Sequence, residues 1–351
     1  MPTSAYAMLP EDWSTFCKNA GFPAFRSKQI LLGLYKDRIR DWSELTTLPA
    51  AMREKLTKDA PLTTLREVTR TPSGTDGVTK FLLEADDGEQ IETVWIPADG
   101  RVTQCISSQV GCDMHCAFCA SGQLGCVRSL SAEEIVAEVM VLAREMGQYP
   151  NNIVVMGMGE PFVNYDAVLR ALRILNCQQG INIGARHITL STCGIVPGIQ
   201  RLAEEGVQFE LSVSLHAPND VLRSQLMPVN RRWNIAALLS ACDAYTAATG
   251  RIITYEYTLV KHFNDRPTHA AELIRLLRNR KARVNLIPLS PVAEFDGETP
   301  SYADCLAFLD ALLKAGIHTT MRRSRGKQAD AACGQLRLRK VKETENGSKK
   351  Q

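Results

Sequence analysis

The sequence predicts an α/β fold, a partial and open barrel of the (β/α)6 type preceded by a small helical domain. The first 60 or so residues read as short helices, and from about residue 100 apolar strand-like runs alternate with amphipathic helical stretches. The number of such units suits an open barrel better than a closed eight-fold one. Seven runs read as barrel strands: Val102–Ser107, Asn152–Met158, His187–Thr192, Phe209–Leu215, Ile252–Val260, Val284–Leu289 and His318–Arg322.

Helices are predicted between these strands. One begins at the capping-box sequence Ser131-Ala-Glu-Glu134 and runs over Ala132–Glu145. Four further helices are predicted over Tyr165–Leu175, Ile235–Thr249, Thr268–Leu277 and Tyr302–Lys314. Because parallel strands place their carboxyl ends at one edge of the sheet, the motifs that follow the strands are expected to meet there.

Four segments are expected along the chain. Residues 1–65 form a helical accessory domain with helices over Phe25–Asp37 and Ala50–Lys58; its Lys and Arg residues suit RNA binding or a solvated helical cap equally well. Residues 66–100 form a hairpin-like connector, and residues 101–336 form the barrel. Residues 337–351 are a basic, polar tail that we expect to be disordered.

Composition restricts the class of protein. The formal net charge of +3 does not by itself indicate nucleic-acid binding, but from Met321 onward ten Lys or Arg face three Asp or Glu. The N-terminus lacks the charged start and apolar run of a secretion signal, and no apolar stretch is long enough to span a bilayer. Eleven cysteines in such a chain favour a reducing cytoplasm, where thiols serve metals or catalysis.

Three cysteines, Cys112, Cys116 and Cys119, lie in one short CxxxCxxC loop. An iron–sulfur cubane normally takes four cysteine ligands, so three leave one iron open to chelate S-adenosylmethionine and reduce it to a 5'-deoxyadenosyl radical. The loop resembles the signature of the radical SAM enzymes. Structural zinc is the alternative, although it usually takes four closed ligands in separated pairs, and no second pair follows.

Several segments along the chain carry a closer resemblance. They are Cys105-Ile-Ser-Ser-Gln-Val-Gly-Cys112, Cys116-Ala-Phe-Cys119-Ala-Ser-Gly, Met156-Gly-Met-Gly-Glu-Pro161, Ser214-Leu-His-Ala-Pro-Asn219, Leu226-Met-Pro-Val-Asn230, Val284-Asn-Leu-Ile-Pro288 and Asp330-Ala-Ala-Cys-Gly-Gln-Leu336. Together they resemble the RlmN/Cfr group of radical SAM RNA adenine methyltransferases. The resemblance covers almost the whole chain, and it implies a radical SAM barrel, a 4Fe-4S cluster held by the three loop cysteines, and two S-adenosylmethionine molecules per turnover.

The resemblance also implies roles for two cysteines outside the loop. Adenine carbons 2 and 8 are electron-poor and cannot attack a sulfonium methyl directly. Cys333 is therefore expected to take a methyl as a nucleophile, and loss of a hydrogen from that methyl makes the radical that adds to adenine. Cys105 then attacks Cys333 and forms a disulfide as the methylated base departs. Glu92 corresponds to the family's proton acceptor; from the strand pattern alone it reads as a solvated carboxylate.

The cofactor-binding residues are also carried over from the family. They are Gly159, Glu160, Ser191, Ser214, Leu215, His216 and Ser290. Glu160 is expected to accept a hydrogen bond from the ammonium group of S-adenosylmethionine. Ser290 is a departure, since many relatives have Asn there, and Arg325-Gly-Lys327-Gln328-Ala-Asp330 replaces a more acidic approach to Cys333. Arg322, Arg323 and Arg325 are candidate phosphate contacts or a solvated basic strand end.

The substrate expected from the resemblance is carbon 2 of an adenosine in the peptidyl transferase region of 23S rRNA, and an adenosine beside the anticodon of some tRNAs. A carbon 8 methyltransferase that gives antibiotic resistance uses the same cysteines; Pro161 favours carbon 2, because the carbon 8 type has Ala there. A flavodoxin-like electron donor, a monomer and no membrane partner are also expected. A non-catalytic zinc-bound RNA-binding module remains the alternative of a different class.

Overall fold

The computed structural model describes residues 3–336 apart from 75, 124, 323–325 and 327–328. Helices α1 (Pro10–Asn19), α2 (Arg26–Leu32) and α3 (Ala50–Asp59) make up the N-terminal helical domain, and α2 continues as a π-helical turn through Asp37. The predicted helices of this domain are thus present. Trp13 and Trp42 pack edge to face in its core, with ring centroids 6.0 Å apart.

The N-terminal helices pack against the barrel through partly buried hydrogen bonds. The Arg144 guanidinium donates to Arg38 O at 3.0 Å, Tyr149 Oη donates to Tyr35 O at 2.6 Å, and Arg170 donates to Ala7 O at 2.7 Å. Each bond joins a barrel side chain to a backbone carbonyl of the helical domain, which would otherwise lose its water partner on burial. The two parts therefore share one continuous hydrophobic core.

A single ten-stranded sheet organises the rest of the described chain. Its strands are β1 (Arg66–Pro72), β2 (Thr79–Glu84), β3 (Gln90–Ala98), β4 (Arg101–Ile106), β7 (Asn152–Val155), β8 (Ile188–Thr192), β9 (Glu210–Ser214), β10 (Ile253–Leu259), β11 (Ala282–Pro288) and β12 (His318–Met321), in that spatial order. The pairs from β1 to β4 are antiparallel, whereas those from β4 to β12 are parallel.

The sheet stays open, with β1 and β12 at its edges, so the predicted partial barrel is confirmed. The seven predicted barrel strands correspond to β4 and β7 to β12. The connector adds three antiparallel strands to the barrel sheet itself. Sequence patterning missed β1 because its residues are almost all exposed and show no apolar alternation.

Helices on the outside of the sheet connect the parallel strands. They are α4 (Ala132–Glu145), α5 (Tyr165–Asn176), α6 (Val196–Glu204), α7 (Asp220–Leu226), α8 (Ile235–Thr249), α9 (Pro267–Leu277) and α10 (Tyr302–Lys314). The capping box predicted for α4 is present: Ser131 N donates to Glu134 Oε2 at 2.8 Å, and Glu134 N donates to Ser131 Oγ at 3.4 Å. Helices α6 and α7 were not predicted; α6 begins with a Pro and a Gly, and α7 has only seven residues.

A second sheet of two strands, β5 (Gln109–Cys112) and β6 (Gly125–Ser129), encloses the CxxxCxxC loop. Gly111 in β5 has a φ of +80°, and a Cβ there would collide with the carbonyl oxygen of Gly125. Only glycine fits this close antiparallel crossing. Within the described part of the chain, no helix has the length and apolar character needed to cross a bilayer.

Candidate active site

One cavity opens at the carboxyl ends of the parallel strands, where the motifs were expected to meet. It is lined by residues from the cysteine loop, from the segments after the strands and from the loop that carries Cys333: Cys112, Met114, Cys116, Phe118, Cys119, Val155, Met156, Gly157, Gly159, Glu160, Ser191, Thr192, Cys193, Ser214, His216, Met227, Glu256, Thr258, Ile287, Leu289, Ser290, Arg322, Cys333 and Gly334. The fold thus brings together ten of the thirteen predicted site residues in one cavity wall. The others, Cys105, Glu92 and Leu215, lie close by.

Backbone hydrogen bonds hold the second half of the cysteine loop to two other segments. Ala117 N donates to Leu226 O at 2.8 Å, and Ala120 N donates to Gly334 O at 2.7 Å. His115 has a left-handed φ of +50°, and its Nδ1 lies 3.0 Å from Gly122 O. His115 therefore shapes the loop by closing a turn within it. The loop is fixed to α7 on one side and to the Cys333 segment on the other.

Burial makes the three loop thiols hard to ionise without a cationic partner. It raises the pKa of Cys112 to about 12, and it raises the pKa of Cys116 and of Cys119 as well. The neighbouring cysteines raise the pKa of Cys116 further. Metal binding requires thiolates, so a positively charged centre has to supply the compensating charge. Among the described residues, no three His, Cys, Asp or Glu side chains converge as a single-ion site requires; the loop thiols instead line one wide cavity.

Glu160 lies buried at the end of the segment that follows β7. Its Oε2 accepts a hydrogen bond from Cys193 N at 2.7 Å, and its Oε1 accepts one from Phe162 N at 3.1 Å. Burial raises the pKa of the Glu160 carboxyl, and the bonds from Cys193 and Phe162 oppose that shift. Glu160 therefore presents a fixed oxygen acceptor to the cavity, as expected for a residue that binds an ammonium group.

The glycines before Glu160 serve packing within the protein. A Cβ at Gly157 would lie 2.6 Å from Ser107 Oγ, and a Cβ at Gly159, whose φ is +99°, would lie 2.6 Å from Gln109 Cβ. Both glycines let the segment after β7 lie directly against the segment after β4. The contacts that require glycine at these two positions are thus with the protein's own backbone and side chains.

The remaining predicted cofactor residues divide into side chains and backbone. Ser191, Ser214 and Ser290 line the cavity, and Ser290 is buried. Leu215 is fully buried in the main hydrophobic core, and its carbonyl accepts a hydrogen bond from Arg223. Leu215 thus does not line the cavity, unlike its neighbours Ser214 and His216.

His216 is a neutral, buried ring in a left-handed backbone conformation with φ of +55°. Its Nδ1 accepts a hydrogen bond from Thr258 N at 2.9 Å, which leaves the proton on Nε2. Phe118 of the cysteine loop packs edge to face on it, with ring centroids 4.7 Å apart. Burial lowers the pKa of His216 to about 3.

The depressed pKa of His216 predicts a loss of stability in mild acid. Because an unfolded histidine binds a proton near pH 6.5 while folded His216 does not, stability falls as the pH drops from about 6.5 toward 3, by about 2 kcal/mol between pH 7 and pH 5. Urea unfolding of the reduced apoprotein at both pH values measures this loss. We expect His216→Asn to show a smaller difference between the two pH values; an unchanged difference would contradict the assignment.

Cys333 and Cys105 approach the cavity from different elements. The Arg322 guanidinium donates to Cys333 Sγ at 2.9 Å. Gly334, with φ of +81°, lets the chain pass close to the cysteine loop, since a Cβ there would lie 3.0 Å from Phe118 O. Arg322 therefore faces Cys333, and its interpretation as a phosphate contact stays a prediction. Arg323, Arg325, Lys327 and Gln328 lie outside the described residues.

Cys105 lies on β4 opposite Val94 of β3 and is buried. It packs in a small apolar cluster with Ala331 and Leu336, on either side of Cys333 in the chain. Burial raises the pKa of Cys105 to about 12; the nearby Cys333 thiol raises it as well, and Arg322 lowers it. Both thiols are free.

Glu92 is buried on β3, so the solvated-carboxylate reading is wrong. Its Oε1 lies 2.9 Å from Lys80 Nζ, and the same Lys80 ammonium donates to Asp330 O at 3.3 Å. Lys80 thus joins Glu92 to the segment that carries Cys333. Sequence reasoning did not single out Lys80, because a lysine in an edge region of a sheet usually points to solvent.

A family model and several known proteins match this chain in sequence. Residues 106–274 match the family model described as the Radical SAM superfamily. The chain is 45% identical over 335 residues to a protein of Symbiobacterium thermophilum named probable dual-specificity RNA methyltransferase RlmN, covering 95% of this chain and 90% of the relative. A relative of the same name from Halalkalibacterium halodurans is 45% identical over 343 residues, covering 97% of this chain and 94% of the relative.

A solved structure is similar over its whole length. The crystal structure of a radical SAM methyltransferase from Sphaerobacter thermophilus superimposes with a TM-score of 0.91 and 45% identity, covering 96% of this chain and 99% of that one. The open barrel and the three-cysteine loop at its strand ends thus define a radical SAM methyltransferase. Within that class, the chain belongs to the RlmN family. The reading as an enzyme is confirmed over the zinc-module alternative.

The class uses a 4Fe-4S cluster and S-adenosylmethionine, and the residues present fit both. Three cysteine thiols with no fourth in their loop suit a cluster with one open iron. Beside them the cavity offers the buried carboxylate of Glu160 and the hydroxyls of Ser191, Ser214 and Ser290 for the polar groups of the second cofactor.

Proposed function

We propose that this enzyme methylates carbon 2 of one adenosine in the peptidyl transferase region of 23S rRNA and of an adenosine beside the anticodon of some tRNAs. The observation that carries the proposal is that Cys333 lines the same cavity as the three loop cysteines, with Cys105 packed against the segment that holds it. The names of the relatives, which describe dual-specificity RNA methyltransferases, support the substrate class.

In this proposal Cys112, Cys116 and Cys119 hold the cluster, and Gly159, Glu160, Ser191, the Ser214–His216 segment and Ser290 hold S-adenosylmethionine. When bound, these groups supply a radical that removes hydrogen from a nearby carbon. Glu160 orients the amino group through its fixed oxygens, and the neutral His216 ring packs on Phe118 without adding charge. The largely apolar parts of the wall, such as Met156 and Leu289, exclude water from the reacting atoms.

Cys333 is the proposed methyl acceptor. Its sulfur attacks the methyl carbon of one S-adenosylmethionine; an S–C bond forms, and the electron pair of the broken bond leaves with S-adenosylhomocysteine. The Arg322 guanidinium at 2.9 Å stabilises the attacking thiolate. After hydrogen is removed from the resulting S-methyl group, its carbon bonds to adenine and tethers the RNA to Cys333.

Cys105 is the proposed resolving thiol. Its sulfur bonds to Cys333, the bond between Cys333 and the methylene carbon breaks, and the released carbon takes up a proton to complete the methyl group. The charges near Cys105 favour its attack on Cys333 after Cys333 has been alkylated rather than before. Once Cys333 is alkylated it no longer raises the pKa of Cys105, whereas Arg322 still lowers it. An external reductant then restores both thiols.

Glu92 is the proposed acceptor of the proton that the adenine adduct loses. The unpaired electron lost with that proton would return to the cluster held by Cys112, Cys116 and Cys119, which gave up one electron when the radical formed. The Lys80 ammonium at 2.9 Å favours its charged form, which is the form that accepts a proton. Because Lys80 also bonds Asp330 O, the position of Glu92 is linked to that of the Cys333 segment. We further propose a cytoplasmic monomer that takes electrons from a flavodoxin-like donor.

Substitution of Arg322 tests the state of Cys333 directly. We expect Arg322→Leu to slow alkylation of Cys333 by iodoacetamide in the apoprotein at neutral pH roughly tenfold, since a hydrogen bond to a charged group contributes about 1.5 kcal/mol or more. Arg322→Lys should keep most of the rate. Peptide mass spectrometry measures the alkylated fraction of Cys333 over time. The half-exposed Cys126 in the same sample is the control. If the alkylation rate of Cys333 relative to that of Cys126 is the same in wild type and in Arg322→Leu, the proposed role of Arg322 is contradicted.

The substrate is tested by nucleoside mass spectrometry of 23S rRNA and tRNA from a host that lacks its own enzyme of this family and expresses this chain. We expect 2-methyladenosine in both RNA fractions and none in a host that expresses Cys333→Ala. The presence of 8-methyladenosine without 2-methyladenosine would show instead the carbon 8 activity.

A further inference from the structure

Arg223 of helix α7 is a fully buried cation beside the cysteine loop. Its guanidinium donates four hydrogen bonds to neutral oxygens: to Cys193 O at 2.7 Å, Ser214 O at 2.9 Å, Leu215 O at 3.2 Å and Asn230 Oδ1 at 2.8 Å. These bonds occupy four of its five N–H groups, and none of the four acceptors carries a charge. The carboxylate of Asp220 is connected to it through Asn230, whose Nδ2 donates to Asp220 Oδ1 at 3.0 Å.

A buried guanidinium surrounded by neutral acceptors is unfavourable, because taking the charge out of water costs several kcal/mol unless an opposite charge repays it. Burial lowers the pKa of Arg223 accordingly. The fold therefore places an arginine where the protein's own nearest acceptors carry no charge. This arrangement indicates that an anion absent from the chain itself belongs nearby.

The cysteine loop is the neighbour that can supply this anion. Helix α7 contacts the loop through the bond from Ala117 N to Leu226 O at 2.8 Å, three residues beyond Arg223. Cys193, whose carbonyl Arg223 binds, shares an apolar cluster with Cys116 and Phe118 of the loop.

We propose that Arg223 is the counter-cation of the cluster and favours its reduction. A cubane core of charge +2 with three thiolates has a net charge of −1, which becomes −2 when the cluster accepts an electron. A nearby cation stabilises both states, and it stabilises the reduced state more. The inference rests on the proposed ligand role of Cys112, Cys116 and Cys119, and it does not depend on the RNA substrate.

Arg223 also joins the segments that follow β8 and β9, so its substitution has a structural effect that must be separated from the charge effect. Arg223→Gln removes the charge and keeps some hydrogen bonding, whereas Arg223→Lys keeps the charge and loses the planar fork. Arg232→Gln removes the same charge from an exposed position nine residues further on, and it serves as the matched control.

The test is a redox titration of the anaerobically reconstituted holoenzyme without RNA, followed by electron paramagnetic resonance. We expect the ratio of reduced to oxidised cluster at a fixed potential to fall roughly tenfold in Arg223→Gln, as a unit charge at partly screened distance predicts. Arg223→Lys and Arg232→Gln should stay near wild type. An unchanged ratio in Arg223→Gln, or an equal fall in Arg223→Gln and Arg223→Lys, would overturn the proposal.

Asp220→Asn tests the effect of nearby charge on cluster reduction without changing Arg223. It removes a negative charge, so its effect on the ratio should be opposite to that of Arg223→Gln. It removes the negative charge closest in the hydrogen-bond chain and keeps an oxygen acceptor for Asn230 and for Ile235 N. The ratio of reduced to oxidised cluster should then rise. If Arg223→Gln does not fold, the redox titration of Asp220→Asn is the deciding test. A ratio of reduced to oxidised cluster that is unchanged or lower in Asp220→Asn contradicts the proposal.

Discussion

Cys105→Ala is expected to accumulate RNA covalently attached to Cys333 and to lose multiple turnover. In the proposed mechanism, methyl transfer to Cys333 and addition to adenine do not use Cys105, so the adduct should form at a normal rate. The variant lacks the sulfur that displaces the RNA, and the buried apolar cluster around position 105 offers no replacement nucleophile. Catalysis should therefore stop after one event per protein molecule.

The adduct is measured as a protein band with slower migration that nuclease digestion converts to a modified Cys333 peptide. Cys126→Ala is the matched control, since Cys126 is a half-exposed thiol on the strand after the cysteine loop and has no proposed role. Normal methylation by Cys105→Ala without any adduct would refute the resolving role.

Cys333→Ala is expected to abolish RNA methylation while the cluster still assembles. The cluster ligands lie in a separate loop, so iron content and absorbance should match the wild type. Without the sulfur, no S-methyl group is placed in the cavity, and direct polar transfer to adenine carbon 2 is closed. We expect a loss of at least about four orders of magnitude, similar to the removal of a nucleophile in other enzymes.

The measurement combines iron analysis, cleavage of S-adenosylmethionine by the reduced enzyme and incorporation of labelled methyl groups into RNA. Cys333→Ala should keep the iron content of the wild type and retain some cleavage of S-adenosylmethionine. It should lose the incorporation of labelled methyl groups into RNA. Cys177→Ala, which changes a thiol in the segment after α5, provides a control for general loss of a cysteine. Methylation by Cys333→Ala above the level of a no-enzyme sample would contradict the account.

Much of the fold follows from local pattern. The seven parallel strands and the α4 capping box could be predicted because buried strands and helix starts have short-range signals. Strand β1 could not, because its residues are exposed and its place is set by pairing with β2. Helix α7 escaped as well, since seven residues are too few for a clear period.

The site shows a similar division. The five cysteines and the residues after the strands stand out in the sequence by residue type and spacing, and the structure places most of them in one cavity wall, while their roles stay predictions. Arg223 and Lys80 could not, because each is a long basic side chain whose partner is distant in sequence or becomes adjacent only on folding. The sequence marks Arg322 as a candidate phosphate contact, but its hydrogen bond to Cys333 forms only on folding. Their burial reverses the usual expectation for Arg and Lys.

The central claim, that the methyl group passes through Cys333, is tested most directly with S-adenosylmethionine carrying a trideuterated methyl. In the proposed mechanism, the deuterated methyl is first placed on Cys333 and then loses one deuterium before it bonds to adenine. The account predicts 2-methyladenosine with two deuterium atoms and one hydrogen, and one deuterium transferred to 5'-deoxyadenosine. A product that retains all three deuterium atoms would contradict it.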